Sequence, residues 1–261
     1  MSEPGEARRD PIRAAQAHMR PEPARRFYRT AGVTDESGRF VLSLDGRPAR
    51  TPGRNALAAA SRELMLKVAA EWERQRETVD PADMPLTRLM NSAIDGVART
   101  MAETRADILR YAGADLLCYR AGEPDTLVAR QAHAFDPILR WAGESLGAHL
   151  NVTAGIVHVA QPPEALAGVG AALAAHDDPI ALAALSAMTT LTGSALLALA
   201  VAENFLTAET AWEAAHIDED FEIERWGEDA QALARRAARR REFEAAAVVV
   251  AVTRGLQRAG P

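Results

Sequence analysis

The 261-residue sequence predicts an α+β chain, with a small β-rich N-terminal domain followed by a larger, mainly α-helical one. Two observations carry that prediction. Between Arg26 and Thr51 short apolar runs alternate with turn residues, whereas beyond residue 59 apolar residues recur at three- and four-residue spacing. Hydrophobic residues make up 48% of the chain, enough to bury a core at this length.

Residues 1–24 read as a disordered tail. Arg8, Arg9 and Arg13 mix there with Glu3, Glu6 and Asp10, Pro4, Pro11, Pro21 and Pro23 interrupt, and no apolar core segment occurs. Residues 25–58 form the β-rich domain. Its strand signals are Phe27-Tyr28-Arg29 and Phe40-Val41-Leu42-Ser43-Leu44, punctuated by Asp35, Ser37, Gly38, Asp45 and Gly46. Asp45-Gly46 is the strongest turn signal, because both residue types tolerate the positive φ angles of two-residue hairpin loops. Arg50-Thr51-Pro52 then ends a returning strand.

Residues 59–261 form the helical domain, with minor strands. Ser61 can cap a helix that carries Glu63 in its first turn and Leu64, Val68 and Trp72 along one face, which makes Trp72 a core residue. Pro85 suits the first turn of the next helix, whose stripe is Leu86, Leu89, Met90, Ala93, Ile94 and Val97. Met101 to Tyr111 makes another. Asp136-Pro137 starts a helix with Ile138, Trp141 and Leu146, which Gly147 stops. Leu116 to Arg120 and Val152 to Val159 look extended, and everything from Pro162 onward reads helical. In that last part Thr207 with Glu209 opens a helix carrying Trp212. Ala230 to Leu256 supports one more, with Leu233, Ala237, Phe243, Ala247 and Val250 inward.

Ile180 to Ala202 contains no charged residue and is long enough to span a bilayer. Alanine dominates it, however, Ser186, Thr189, Thr190, Thr192 and Ser194 are polar, and the flanks Asp178 and Glu203 are acidic rather than basic and aromatic. A buried helix or helix pair follows, with no integral membrane association.

Several function classes lose support on composition and motif. A net charge of −6 provides no basic field to neutralise phosphates, so no nucleic-acid partner is expected. Neither GxxxxGK[ST] nor GxGxxG occurs, and no cofactor is expected. His18, His133, His149, His158, His176 and His216 are scattered rather than spaced as metal ligands, so no metal site is expected. No GxSxG elbow is present, and the lone Cys118 sits in an apolar run that suits a buried, inert thiol.

The richest cluster runs from His216 to Asp229, where carboxylates interleave with Phe221, Ile223 and Trp226. Spacings of three and four residues place Glu219, Glu222 and Trp226 on one helical face, a stripe suited to docking on a basic protein surface. The plainer reading makes Trp226 a core residue and the carboxylates solvated, partly paired with Arg225, Arg235-Arg236 and Arg239-Arg240-Arg241. A third reading is a carboxylate-based or metal-assisted enzyme using residues 216–229, with His216, Glu219 and Asp220 on adjacent turns.

A series of phrases carries a resemblance. They are Arg26-Phe27-Tyr28, Leu44-Asp45-Gly46-Arg47 with Thr51-Pro52, Glu71-Trp72 with Gln75, and Met84-Pro85-Leu86-Thr87 with Asn91 and Asp95. Farther on come Tyr111, Asp115-Leu116-Leu117-Cys118-Tyr119-Arg120, Asp136-Pro137 with Trp141, Thr153 with Gly155-Ile156, Gly193-Ser194, and Asp218-Glu219 leading to Trp226-Gly227 and Asp229. In this order, from about Arg26 to Leu256, they resemble the F1-ATPase assembly chaperones that act on the alpha subunit, with mitochondrial and bacterial members.

The resemblance implies a β-rich N-terminal and a helical C-terminal domain. It also implies a placeholder that holds unassembled alpha subunit, shields its interface until beta subunit replaces it, and catalyses no reaction. Carried onto this chain, it makes Glu219, Glu222, Trp226, Glu228 and Asp229 partner-binding residues, with Glu219 and Asp229 foremost. Two departures stand out: Glu222 occupies a position where the family more often has glutamine, and Gln231 one where it commonly has an acidic residue. The tail lacks a basic, acid-free presequence, which points to bacterial cytoplasm, or to the mitochondrial matrix in a eukaryote.

Overall fold

The structure, a computed structural model, describes residues 24–258. The tail expected over 1–24 therefore lies, apart from Ala24, outside the described residues. A small strand region comes first and helices follow, as the sequence predicts.

The described chain begins in β1 (Ala24–Arg25), which pairs antiparallel with β6 (Thr78–Val79). Two tight hairpins then set the sheet. β2 (Ala31–Glu36) turns into β3 (Arg39–Leu44) through Ser37-Gly38, and β3 into β4 (Arg47–Pro48) through Asp45-Gly46. All four loop residues have positive φ: +55° and +81° in the first turn, +48° and +77° in the second. Such turns match the right-handed twist of the flanking strands. Asp45 adds a second function, since its carboxylate accepts the N–H groups of Arg29 and Thr30 at 3.0 and 2.9 Å. β5 (Ala58–Ala59) also pairs with β3, so Val41 to Leu44 are buried in succession rather than alternately.

Helix α1 (Arg62–Glu73) lies on β2 and β3. Ser61 caps it as expected, its Oγ accepting the Leu64 N–H at 3.1 Å, and Leu64, Met65, Val68 and Ala69 are buried. The end of α1 holds the start of α2 (Pro85–Asp95). Glu71 is buried, and its carboxylate accepts the N–H groups of Leu86 (2.7 Å) and Thr87 (2.8 Å) and the Thr87 hydroxyl (2.7 Å). Burial raises its pKa, against those hydrogen bonds. A carboxylate here satisfies donors at a helix N-terminus that have no intrahelical partner.

At the other end of α2, Asp95 accepts from Thr51 Oγ1, Gly53 N and Asn55 Nδ2 at 2.6, 2.7 and 2.7 Å. Position 53 must be glycine for this approach, because a Cβ there would sit 2.6 Å from the Asp95 carboxyl group. Glu71 and Asp95 thus tie the sheet, α1 and α2 together.

Trp72 is half-buried against the core, and its indole N–H donates to Thr87 Oγ1 at 3.1 Å. Trp72→Phe keeps the ring and loses that bond. The expected cost is about 1 kcal/mol, read in a thermal melt as a Tm lower by about 2–4 °C; an unchanged Tm would show the bond to be dispensable.

After α3 (Met101–Ala112), a 3₁₀ turn at Leu116–Cys118 leads into β7 (Tyr119–Arg120), which pairs in parallel with β8 (Thr153–Ala154). Of the stretches read as extended, only Tyr119–Arg120 and Thr153–Ala154 are strand, and Leu116–Cys118 winds into the 3₁₀ turn instead. α4 departs from expectation: it spans Asp125–Leu146, with Pro137 inside it rather than near its start. The missing proline N–H removes one backbone bond, and burial of Gln131, Phe135, Ile138 and Ala142 along one face carries the helix through. Gly147 (φ +67°) ends it, as read.

α5 (Pro163–Ala174) precedes the uncharged run, which proves to be a helix pair. α6 (Pro179–Thr192) stops at Gly193 (φ +73°), and Ser194 caps α7 (Ala195–Ala202), all of it buried. α6 packs against α2, α3, α7 and the terminal helix. Among the described residues no helix is long and apolar enough to cross a membrane.

α8 (Ala208–Ala215) is capped by Thr207 and buries Trp212, α9 covers Ile217–Trp226, and α10 covers Ala230–Arg258. Phe243, Ala247 and Val250 of α10 are buried as predicted. Leu233 is only half-buried and Ala237 is exposed, because the first turns of α10 run beyond the core.

Candidate partner-binding site

Helix α9 rests on α4 and is fixed by charge and by one aromatic ring. Phe221 is the buried residue of α9, with the guanidinium groups of Arg130 and Arg225 lying 5.4 and 4.2 Å from its ring centre. Glu224 pairs with Arg130 at 2.7 Å, and Asp220 with Arg236 of α10 at 2.5 Å. Asp218 accepts from the amide of Gln131 at 2.7 Å. Arg130 and Gln131 come from α4 and Arg236 from α10, whereas Arg225 belongs to α9 itself.

His216, weighed above as a base or ligand, is buried at the α8–α9 joint. Its Nδ1 lies 2.7 Å from the Trp212 carbonyl oxygen, its ring packs 3.8 Å from the Trp212 ring centre, and burial lowers its pKa. It braces the joint, and burial outweighs the nearby Glu219 carboxylate in setting its charge.

The predicted site residues divide accordingly. Glu219 is half-buried, 3.9 Å from Arg236. Glu222 and Glu228 are exposed and make no ion pair among the described residues. Asp229 is exposed, but its carboxylate accepts the N–H groups of Gln231 (2.7 Å) and Ala232 (2.9 Å), which caps α10 and lowers its pKa. Trp226 is 80% exposed, so the plainer reading of it as a core residue does not hold. Gly227 (φ +86°, ψ 178°) adopts a backbone reserved for glycine and ends α9 directly behind the indole.

The arrangement suits contact better than proton transfer. A groove of about 570 Å³ between α4, α8 and α9 is bordered by Glu213, Asp220 and Glu224. Arg130 holds Glu224 below the usual carboxylate range, which makes it a weaker base. Among the described residues no group of three or more His, Cys, Asp or Glu side chains is placed to hold a metal ion. Cys118 is buried, and burial pushes its thiol up to about 12.

Comparison with known proteins gives the arrangement its context. The family profile described as ATP12 chaperone protein matches residues 25–143, which take in the sheet and α1 to α3 with most of α4. The crystal structure of Atp12 from Paracoccus denitrificans superposes with a TM-score of 0.81, is 41% identical, and covers 88% of this chain and 98% of its own. This chain belongs to the ATP12 chaperone family.

A solved Agrobacterium tumefaciens structure is similar over a still larger share. It has a TM-score of 0.86 and 48% identity, covering 94% of this ATP12-family chain and 91% of that one. The mitochondrial protein atp12 of Schizosaccharomyces pombe is 24% identical over 229 residues, covering 82% of this chain and 78% of its own. The profile ends before α9.

Sequence reasoning missed Arg130 and Gln131, which position α9, whereas Arg236, read above as a partner of these carboxylates, does pair with Asp220. Nothing local marks Arg130 or Gln131, since an arginine on a helix face reads as solvated until its partner is known.

Proposed function

We propose that this ATP12-family chaperone binds the unassembled alpha subunit of the F1 sector of ATP synthase and shields its apolar interface until beta subunit takes its place. The observation that carries the reading is Trp226: a large indole left in water at the end of a helix pinned by arginines, with the unpaired carboxylates Glu222 and Glu228 beside it. Tryptophan is the residue type most often found as an interface anchor. Carboxylates at its rim speed encounter with a basic surface and leave the complex displaceable. Obligate subunit interfaces are large and apolar, so an orphan subunit exposes a patch that self-associates unless covered. In a bacterium this work belongs to the cytoplasm, in a eukaryote to the mitochondrial matrix.

Co-purification with separately expressed alpha and beta subunits tests the reading. Retention of alpha but not beta is expected. Retention of neither, or of both alike, overturns it.

A further inference from the structure

A second surface stands apart from α9. Ile156 is 98% exposed and Val157 74% exposed, although β-branched apolar side chains ordinarily turn inward. The loop that carries them is firmly held. At its base the Asn151 N–H donates to Gln161 Oε1 (2.7 Å), Gln161 Nε2 donates back to Asn151 O (3.0 Å), and Asn151 Nδ2 donates to Ala160 O (3.0 Å). Farther along, β8 pairs with β7, the Gly155 N–H donates to Arg120 O at 2.8 Å, and the Tyr119 hydroxyl lies 3.2 Å from His158 Nδ1. The exposed pair therefore sits on a pinned loop.

Tyr119 also lines a groove of about 840 Å³ between α3 and α6, together with Ile108, Tyr111, Ala114 and Leu116. Asp107 and Arg110 at the groove are paired with each other, so their charges cancel. Thr189 lines the groove as well; it is 1% exposed, and its Oγ1 has no hydrogen-bond partner among the described residues.

One buried side chain links this surface to α9. Gln131, 2% exposed, accepts the Ala121 N–H just after β7 at 2.7 Å and donates to Asp218 of α9 at 2.7 Å. A buried hydrogen-bond chain thus joins the end of the loop's strand partner to the acidic helix.

We propose that the groove and the Ile156-Val157 loop seat an uncharged, apolar segment of unassembled alpha subunit, while α9 takes a neighbouring basic stretch. This rests on the function proposed above. The neutral groove rejects charged segments, whereas α9 prefers them, so the two patches require a partner that displays both chemistries side by side.

The test uses the full chain carrying Ile156→Asp and Val157→Asp, with Trp226 intact. Both side chains face solvent, so the melting temperature should match wild type while affinity for purified alpha subunit falls about tenfold or more. A photo-crosslinking side chain at position 156 should link to alpha subunit. If wild type binds alpha and the double variant binds it equally, or no crosslink forms, this inference fails and the function stands. Should wild type bind no alpha at all, the function itself fails. A wild-type dimer that the double variant dissociates, with alpha affinity unchanged, would make the loop a self-association surface and overturn the inference.

Discussion

Trp226→Ala should abolish most of the capture of alpha subunit and leave the protein folded. The indole is 80% exposed and lies at the last residue of α9, after the buried Phe221 that holds the helix down. Its removal opens no cavity, so the Tm should not move. Anchors of this kind cost about 2 kcal/mol or more when truncated, which is about 30-fold in affinity. Titration of labelled alpha subunit against wild type and variant, with melts of both, separates the outcomes. Equal affinities at equal Tm would remove Trp226 from the binding face; a lower Tm would mean that the indole supports the fold.

Asp115 should make stability depend on pH in the direction opposite to the usual carboxylate. It is fully buried, and Oδ1 and Oδ2 accept the N–H groups of Leu117 and Leu196, each at 3.1 Å. Burial outweighs these bonds and lifts the carboxyl from an ordinary 3.8 to about 6. Between those values the folded state holds a proton that the unfolded state has released. The contribution is therefore complete below the unfolded value and is lost as pH rises through the folded one. It amounts to about 3 kcal/mol for the shift from 3.8 to about 6.

Asp115→Asn cannot ionise, and every other titrating group remains. Urea unfolding of both proteins from about pH 4 to about pH 7 should show the wild-type advantage shrinking as pH rises. Parallel pH curves would show that Asp115 does not titrate in this range.

These two residues mark the limits of what the sequence reveals. Helices α1, α2, α3 and α8, the Asp45-Gly46 turn and the stop at Gly147 were legible because their signals are local: a cap, a stripe at helical spacing, a glycine needing positive φ. The start of α4 was not, since Asp136-Pro137 imitates a helix beginning, and only burial along the whole face shows the helix running through it. Ala237 was read as inward because periodicity continues past the point where α10 leaves the core.

The candidate site was half legible. Its residues and their spacing were on the page, but a tryptophan on a helical stripe has the same pattern whether it faces core or water.

By itself, then, the sequence determined the α+β order of elements, the buried nature of the Ile180–Ala202 run and the acidic cluster of α9. Tertiary structure alone decided that Trp226 is exposed. It also decided that Glu71 meets Thr87, Asp95 meets Thr51, and Asp115 meets the helix behind Ser194. The physical reason is separation along the chain: periodicity and capping depend on neighbours within a turn or two, whereas burial and charge pairing depend on which distant element arrives, and no local pattern encodes that.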